Sequence, residues 1–477
     1  MDPLYKLPPE LRLNILLLLR CKRSMLRFAQ ASPVILQQYL TSKSYITRKL
    51  ITMDFDEEMM QDAMGIILLP SSDTLGDYSE VLHQHLCAWS AQQLPNPLRT
   101  GDDSLIDQLD KLQNKLLLFI EDYLTKATAI FPPREYLCLP ALSSSRTQLM
   151  FKDQEVSPRF DATELTDEER KRLLRAFLRY ELICSMFNCR TSWDITWDRV
   201  RLYKYAGRKF RPSEREAIRC VHQYLTSLYA AMFAQCSDSW LPDTPVGSLS
   251  SHTTGLLYPD TLYIDTNAYA SDMGLQGEEI SLSNYMAGFG FDLATALIRH
   301  AIAGRHGRGH LEHWLRDLFR NGDNAFPPCI PPNNYLYLGS ENEDGNDVRC
   351  TEDSGMYNLL HKQLLGTSSL HASIYRQRAW VFFDDNRLYP SSSPAGSHFP
   401  TLDELGEPIS DTIQYEEWFS NPKRARALHR SQKWHDERLG KPGGEGIKES
   451  VGETACETLL PVTTERDWFL RVPRFWS

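Results

Sequence analysis

Apolar residues recur at helical spacing along much of the chain. Near the N-terminus Leu7, Leu11, Ile15, Leu18 and Leu19 follow a helical repeat, and Pro8 and Pro9 sit where a first turn tolerates proline. A second pattern runs from a capping serine, Ser24, to Ala29 and stops before Ser32-Pro33; a third runs from Val34 to about Leu50. The spacing therefore predicts three short helices in residues 1–50. Three longer helices follow. Leu105, Leu109, Leu112, Leu116, Ile120 and Tyr123 form one apolar stripe that must end before Pro132-Pro133. Thr166-Asp167-Glu168-Glu169 is a capping box ahead of Leu173, Phe177, Tyr180, Cys184 and Phe187, and Ser213-Glu214-Arg215-Glu216 reads as a second, ahead of Ile218, Val221, Leu225, Leu228 and Met232.

The remaining pattern is weaker. Residues from about Ser237 to Ser283 are rich in turn formers and predict loops with short extended pieces such as Thr261-Leu262-Tyr263-Ile264. Helices are expected from about Leu282 to His300 and around Leu311 to Phe319. The run Arg378 to Phe383 fits either a short buried strand or a helical turn, because periodicity does not separate the two over so few residues. Turn formers dominate from Pro390 onward, and 441–457 has the Gly-rich, charged composition of a disordered segment. Long helical stripes need one another's faces, so the fold class is mainly α: a three-helix module at 1–50, a large irregular α-helical body with few short strands at 51–390, and a C-terminal extension at 391–477.

Composition narrows the function classes. The 477 residues are 42% hydrophobic and 24% charged, as in ordinary globular domains, so the chain is long enough to bury a core without disulfide or metal staples. Asp and Glu outnumber Lys and Arg by 62 to 52, a net charge of −10 and the wrong sign for neutralising phosphates, so nucleic acid is not the default partner. Ten cysteines without a repeated spacing fit a reducing compartment, cytoplasmic and/or nuclear, and packing roles; Cys184 and Cys189 suit neither a CxxC redox site nor a zinc knuckle. Ile15 to Leu19 is too short to span a membrane, which takes about 20 apolar residues, and no membrane partner is expected.

Chemistry-bearing motifs are sparse. His300, His306, His310 and His313 are clustered, and His306 and His310 would share a helix face at i, i+4 as metal ligands often do. Gly304, Gly307 and Gly309, however, predict an interruption of that helix, and no H-E-x-x-H motif is present. An unrecognised metal-dependent enzyme centred on His300–His313 is the alternative that these residues leave open. Gly288-Phe289-Gly290 and the glycines of 304–309 match neither a dinucleotide loop nor a P-loop, and there is no G-x-S-x-G elbow or kinase signature. No catalytic, cofactor-binding or metal-binding residue is assigned. Arg199 to Arg211, interleaved with Tyr203, Tyr205 and Phe210, reads as a solvated basic face or as one able to meet RNA or an acidic peptide. Lys423-Arg424-Ala425-Arg426 faintly resembles a nuclear-localisation signal but fits better the polar side of a helix from about Tyr415 to Leu439.

One segment carries a family resemblance. Leu7-Pro8-Pro9-Glu10-Leu11-Arg12-Leu13-Asn14-Ile15-Leu16 resembles the first helix of an F-box. Leu26 to Pro33 is similar to the second helix and A-S-P turn of the F-box-like proteins of filamentous fungi. Glu169 to Leu182 resembles their R-A-F-x-R-[FY]-E-[IL] helix, and Arg378 to Leu388 their G-[WY]-V-[MF]-[WF]-D-x-x-R-L segment. Ser32-Pro33-Val34 occupies the place of the C-K-x-W element of other F-boxes. The resemblance implies a non-catalytic adaptor: Leu7, Pro8, Leu11, Ile15 and Leu16 would bind the Skp adaptor of a cullin-RING (SCF) ubiquitin ligase, and the body would recruit an unknown protein. The alternative is a helical scaffold protein in which the degenerate F-box is purely structural.

Overall fold

The structure, a computed structural model, describes residues 2–20, 22–70, 78–129, 132–142, 148–188, 210–237, 282–320 and 369–384, with residues 239, 241, 264, 266, 269, 270 and 273. The basic run 199–209, Cys189, most of 237–281 and all of 391–477 lie outside the described residues. The regular structure described is fifteen α-helices and one small three-stranded sheet, so the mainly α expectation holds.

Residues 2–54 form α1 (Pro9–Leu18), α2 (Lys22–Ala31), α3 (Pro33–Thr41) and α4 (Lys43–Asp54), preceded by a 3-10 turn at Pro3–Lys6. The third expected helix, 34–50, is thus two. Ser42 leaves the helical region (φ −109°, ψ 11°), and the Thr41 hydroxyl donates to the carbonyls of Gln37 and Gln38, a local bond that competes with the backbone ladder. The A-S-P turn has a clear physical role: Ser32 Oγ accepts from Ile35 N as the N-cap of α3, Pro33 fills the first helical position, and Ser32 donates to Asp2. Asp2 also caps the 3-10 turn through Leu4 N, and these bonds, the one from Ser32 first, hold its carboxyl below the usual range.

The body is organised by three long helices: α8 (Asp103–Ala127), α10 (Asp167–Asn188) and α11 (Pro212–Cys236). Around them lie α5 (Glu57–Ile67), α6 (Tyr78–Ser90), the short α7 (Pro97–Thr100) and α9 (Pro132–Tyr136), then α12 (Leu282–Ala287), α13 (Gly290–Ala301), α14 (Gly304–Arg320) and α15 (Ser369–Gln377). Thr166 caps α10 as expected, with Thr166 Oγ1 accepting from Glu169 N and Glu169 accepting from Thr166 N. The second box is displaced: α11 starts at Pro212, and Glu214 accepts from Arg211 N at 3.0 Å. The facing stripes meet in an aromatic spine. Phe177 stacks on Phe291 at 5.3 Å, Phe119 lies 4.8 Å from Phe291, and Tyr123 lies 4.8 Å from Tyr224 and edge-on to Phe382.

Several local expectations are revised by long-range packing. The helix expected over 282–300 is broken after Ala287, and Gly290, the first residue of α13, adopts φ +76°. Conversely, α14 is continuous through its glycines. A Cβ at Gly307 would come within 2.2 Å of His300 O, so glycine there permits close approach to the end of α13 rather than breaking the helix. The run 378–383 is neither strand nor helix but a sequence of turns, with Ala379 at φ +58° and Trp380, Val381, Phe382 and Phe383 buried. The sheet comprises β1 (Leu139–Pro140), β2 (Gln148–Phe151) and β3 (Gln154–Pro158), antiparallel in that order. Its hairpin turns through Lys152 and Asp153 at φ +42° and +72°, without glycine. The turn is held from outside: Lys152 N donates to Gln235 at 2.7 Å, Lys152 Nζ to Ser237 O at 2.8 Å, and Asp153 pairs with Arg308 at 2.9 Å.

Candidate docking surface of the N-terminal module

The first four helices enclose a core of their own, made of Leu16, Met25, Ala29, Ile35, Tyr39, Ile46 and Leu50, with Leu4, Leu13, Leu17, Leu19 and Phe28 packed against it. Helix α4 carries that core into the next: Ile46 and Leu50 belong to the module, whereas Ile51 and Phe55 belong to the core of the body. At its end Asp54 is buried and accepts two bonds of 2.7 Å from Arg170 of α10. Further ion pairs join the module to the body, Arg20 with Asp167, Lys22 with Asp110 and Arg48 with Asp103. Arg20 makes its contact from φ +47°, directly after α1.

Helix α1 is apolar nearly all round, and the core takes only one side of it. Leu16 is 0% exposed, with Leu13 and Leu17 beside it. The stripe that spacing singled out is divided: Leu19 packs against the core, whereas Leu11 is 49% and Leu18 78% exposed, with Ile15 half-buried between them. Of the five residues assigned to partner binding, Pro8 and Leu11 are exposed, Leu7 and Ile15 are half-buried, and Leu16 is a core residue. Leu16 therefore shapes the face from beneath rather than meeting a partner. Residues not singled out are exposed on the same module: Tyr5, Leu26, Leu36, Leu40, Tyr45 and Met53. Leu36 and Leu40 share a face of α3 at i, i+4, the one sequence signal that marked them. Nine large hydrophobics are exposed among the described residues, and all but Val81 lie within residues 5–53. Such concentration in one module is unlike the single scattered residues of an ordinary surface.

The other candidates lie apart from this surface. His306 and His310 do share a face of α14, with ring centroids 4.1 Å apart, and His313 pairs with Asp317 at 3.1 Å. Among the described residues no three His, Cys, Asp or Glu side chains are grouped to hold a metal ion. Cys138, Cys184 and Cys220 are buried in the body, and burial pushes their thiols well up; Cys236 is pushed up to about 12 by the same cause. Such thiols behave as packing groups. No helix of the described residues is long and apolar enough to cross a membrane.

Comparison with protein-family models, with curated proteins and with solved structures finds no match.

Proposed function

We propose that the chain is a substrate-recruiting adaptor of the F-box type, whose N-terminal module binds the Skp adaptor of a cullin-RING ubiquitin ligase and whose helical body recruits an unknown protein. The observation that carries this reading is the gathering of exposed large apolar side chains, Leu11 and Leu18 foremost, on a module with its own core and an ion-paired anchor to the body. An adaptor needs both properties, an apolar face free for one partner and a fixed lever to the surface that holds the other. In this reading the chain performs no chemistry; it supplies proximity, and a separate conjugating enzyme transfers ubiquitin.

The test is capture of purified Skp by the full chain, compared with a Leu11→Asp/Leu18→Asp variant. Both positions are exposed, so the variant keeps the fold, checked by circular dichroism, while losing capture. A wild-type chain that fails to hold Skp where a known F-box succeeds overturns the reading. The continuous α4 and the three ion pairs favour a second reading, a scaffold in which the module is purely structural. That reading predicts no capture, together with a lowered melting temperature when Arg20, Lys22 and Arg48 are reversed to Glu.

A further inference from the structure

A cleft of about 70 Å³ opens between α10, the first turn of α11 and the turns that follow α15. Arg172, Arg175 and Arg179, spaced by three and four on α10, line it with Arg211, Ser213 and the carboxylate of Glu214, which pairs with Arg179, while Val381 and Phe382 give it an apolar wall. Arg179 is already neutralised, since Glu58, Asp62 and Glu214 all lie within 3.4 Å of its guanidinium, and it serves as a fixed part of the wall. The other two α10 arginines of the lining are 24% and 30% exposed, and among the described residues each pairs with one carboxylate, Asp384 for Arg172 and Asp56 for Arg175. Arg172 uses Nε and Nη2, on Phe382 O and Asp384. Arg175 donates Nη2 to Asp56, while among the described residues its buried Nε has no hydrogen-bond acceptor.

We propose that this cleft binds a small oxyanion, a phosphate or carboxylate group, through Arg172, Arg175 and Arg211. A guanidinium offers five N–H donors in a planar fork suited to such groups, and the two α10 forks are only partly engaged. The Nε of Arg175 lacks an acceptor, and an oxygen in the cleft removes the penalty of leaving it so. The volume holds roughly five water-sized spheres at about 15 Å³ each, which is room for one compact oxyanion. The inference does not depend on the adaptor reading. The anion is either a free ion or a group carried on a protein, and the two share the same chemistry.

The experiment is a thermal melt of the full chain in sodium phosphate against sodium chloride at matched ionic strength and near-neutral pH. Wild type is compared with Arg172→Gln, Arg175→Gln and, as a distant control, Arg48→Gln. About 10 mM phosphate is expected to raise the melting temperature of wild type and control by about 2 °C over chloride. In Arg172→Gln and Arg175→Gln that increment falls by at least half. Each variant is referred to itself in chloride, so a lower intrinsic stability does not mask the result. Calorimetric titration of inorganic phosphate into the folded variants is expected to show binding about tenfold weaker. Equal melting in phosphate and chloride, or an increment kept by both α10 variants, overturns the proposal. Competition by a phosphoserine peptide supports the site and assigns it to a protein-borne group; binding of phosphate without such competition supports it and assigns a free ion.

Discussion

Replacing Gly290 by alanine tests whether the centre of the body is held as its geometry indicates. The residue sits at φ +76°, and a Cβ there would lie 2.5 Å from Glu181 Oε2 and 3.1 Å from Cys184 Cβ. Glu181 has no easy retreat: it is buried, pairs with Lys115 Nζ at 2.9 Å and accepts from Phe291 N at 2.8 Å. Lys115 in turn reaches Asp292 at 2.7 Å, so one displaced carboxylate disturbs a network joining α8, α10 and α13. Two costs add. A left-handed backbone costs an L-residue about 1–2 kcal/mol, and breaking a buried ion pair costs about 3–5 kcal/mol. A partial displacement gives about 4 kcal/mol in total for Gly290→Ala. Gly101 supplies the control, because it has φ +75° with nothing within 4 Å of the added methyl. Gly101→Ala should therefore cost only about 1 kcal/mol, the backbone part alone. Urea unfolding followed by circular dichroism measures both. If Gly290→Ala falls within about 1 kcal/mol of Gly101→Ala, the close approach to Glu181 is not what the glycine serves.

Two further perturbations probe the interior. His222 is buried, its ring bonded to Tyr180 Oη at 2.9 Å and to Asn284, and burial lowers its pKa to about 4 from the ordinary 6.5. Its folded-state pKa is depressed, so below 6.5 the unfolded chain takes up a proton that the folded chain refuses. Stability should then fall with pH between 6.5 and about 4, by up to about 3 kcal/mol, and His222→Asn should flatten that slope in urea titrations at successive pH values. Asp54→Asn removes a buried carboxylate that accepts two bonds from Arg170 and should cost about 3–5 kcal/mol, whereas Glu57→Gln, removing an exposed partner of Arg99, should cost under about 1 kcal/mol. Comparable losses from the two would contradict the burial argument.

The long helices were legible because their determinants are local. Asp102 caps α8 and Thr166 caps α10, and the stripes from Leu109 to Tyr123 and from Leu173 to Cys184 bury as their spacing demands, while Leu105 at the start of α8 stays half-buried. The small sheet was not legible. Lys152 and Asp153 hold left-handed turn conformations only because Gln235, Ser237 and Arg308, all distant in sequence, fasten them.

The amino-acid sequence alone determined that this protein is mainly helical, that Thr166 caps α10 and that an apolar helix lies near its N-terminus, whereas Ser24 falls inside α2 and the box at Ser213 shifts to Arg211. Tertiary structure decided how those helices are used. Leucine or isoleucine lies on both sides of the narrow polar strip made by Glu10 and Asn14 on α1, so periodicity does not say which side is buried, and packing against Met25, Ile35 and Ile46 selects Leu16 for the interior and leaves Leu11 and Leu18 outside. Likewise Arg172 and Arg175 read as ordinary charges of a helix until Arg211 and Phe382 are brought beside them. The physical reason is one of range: hydrogen bonds and caps within a few residues fix a helix, whereas burial depends on whatever the rest of the chain places against it.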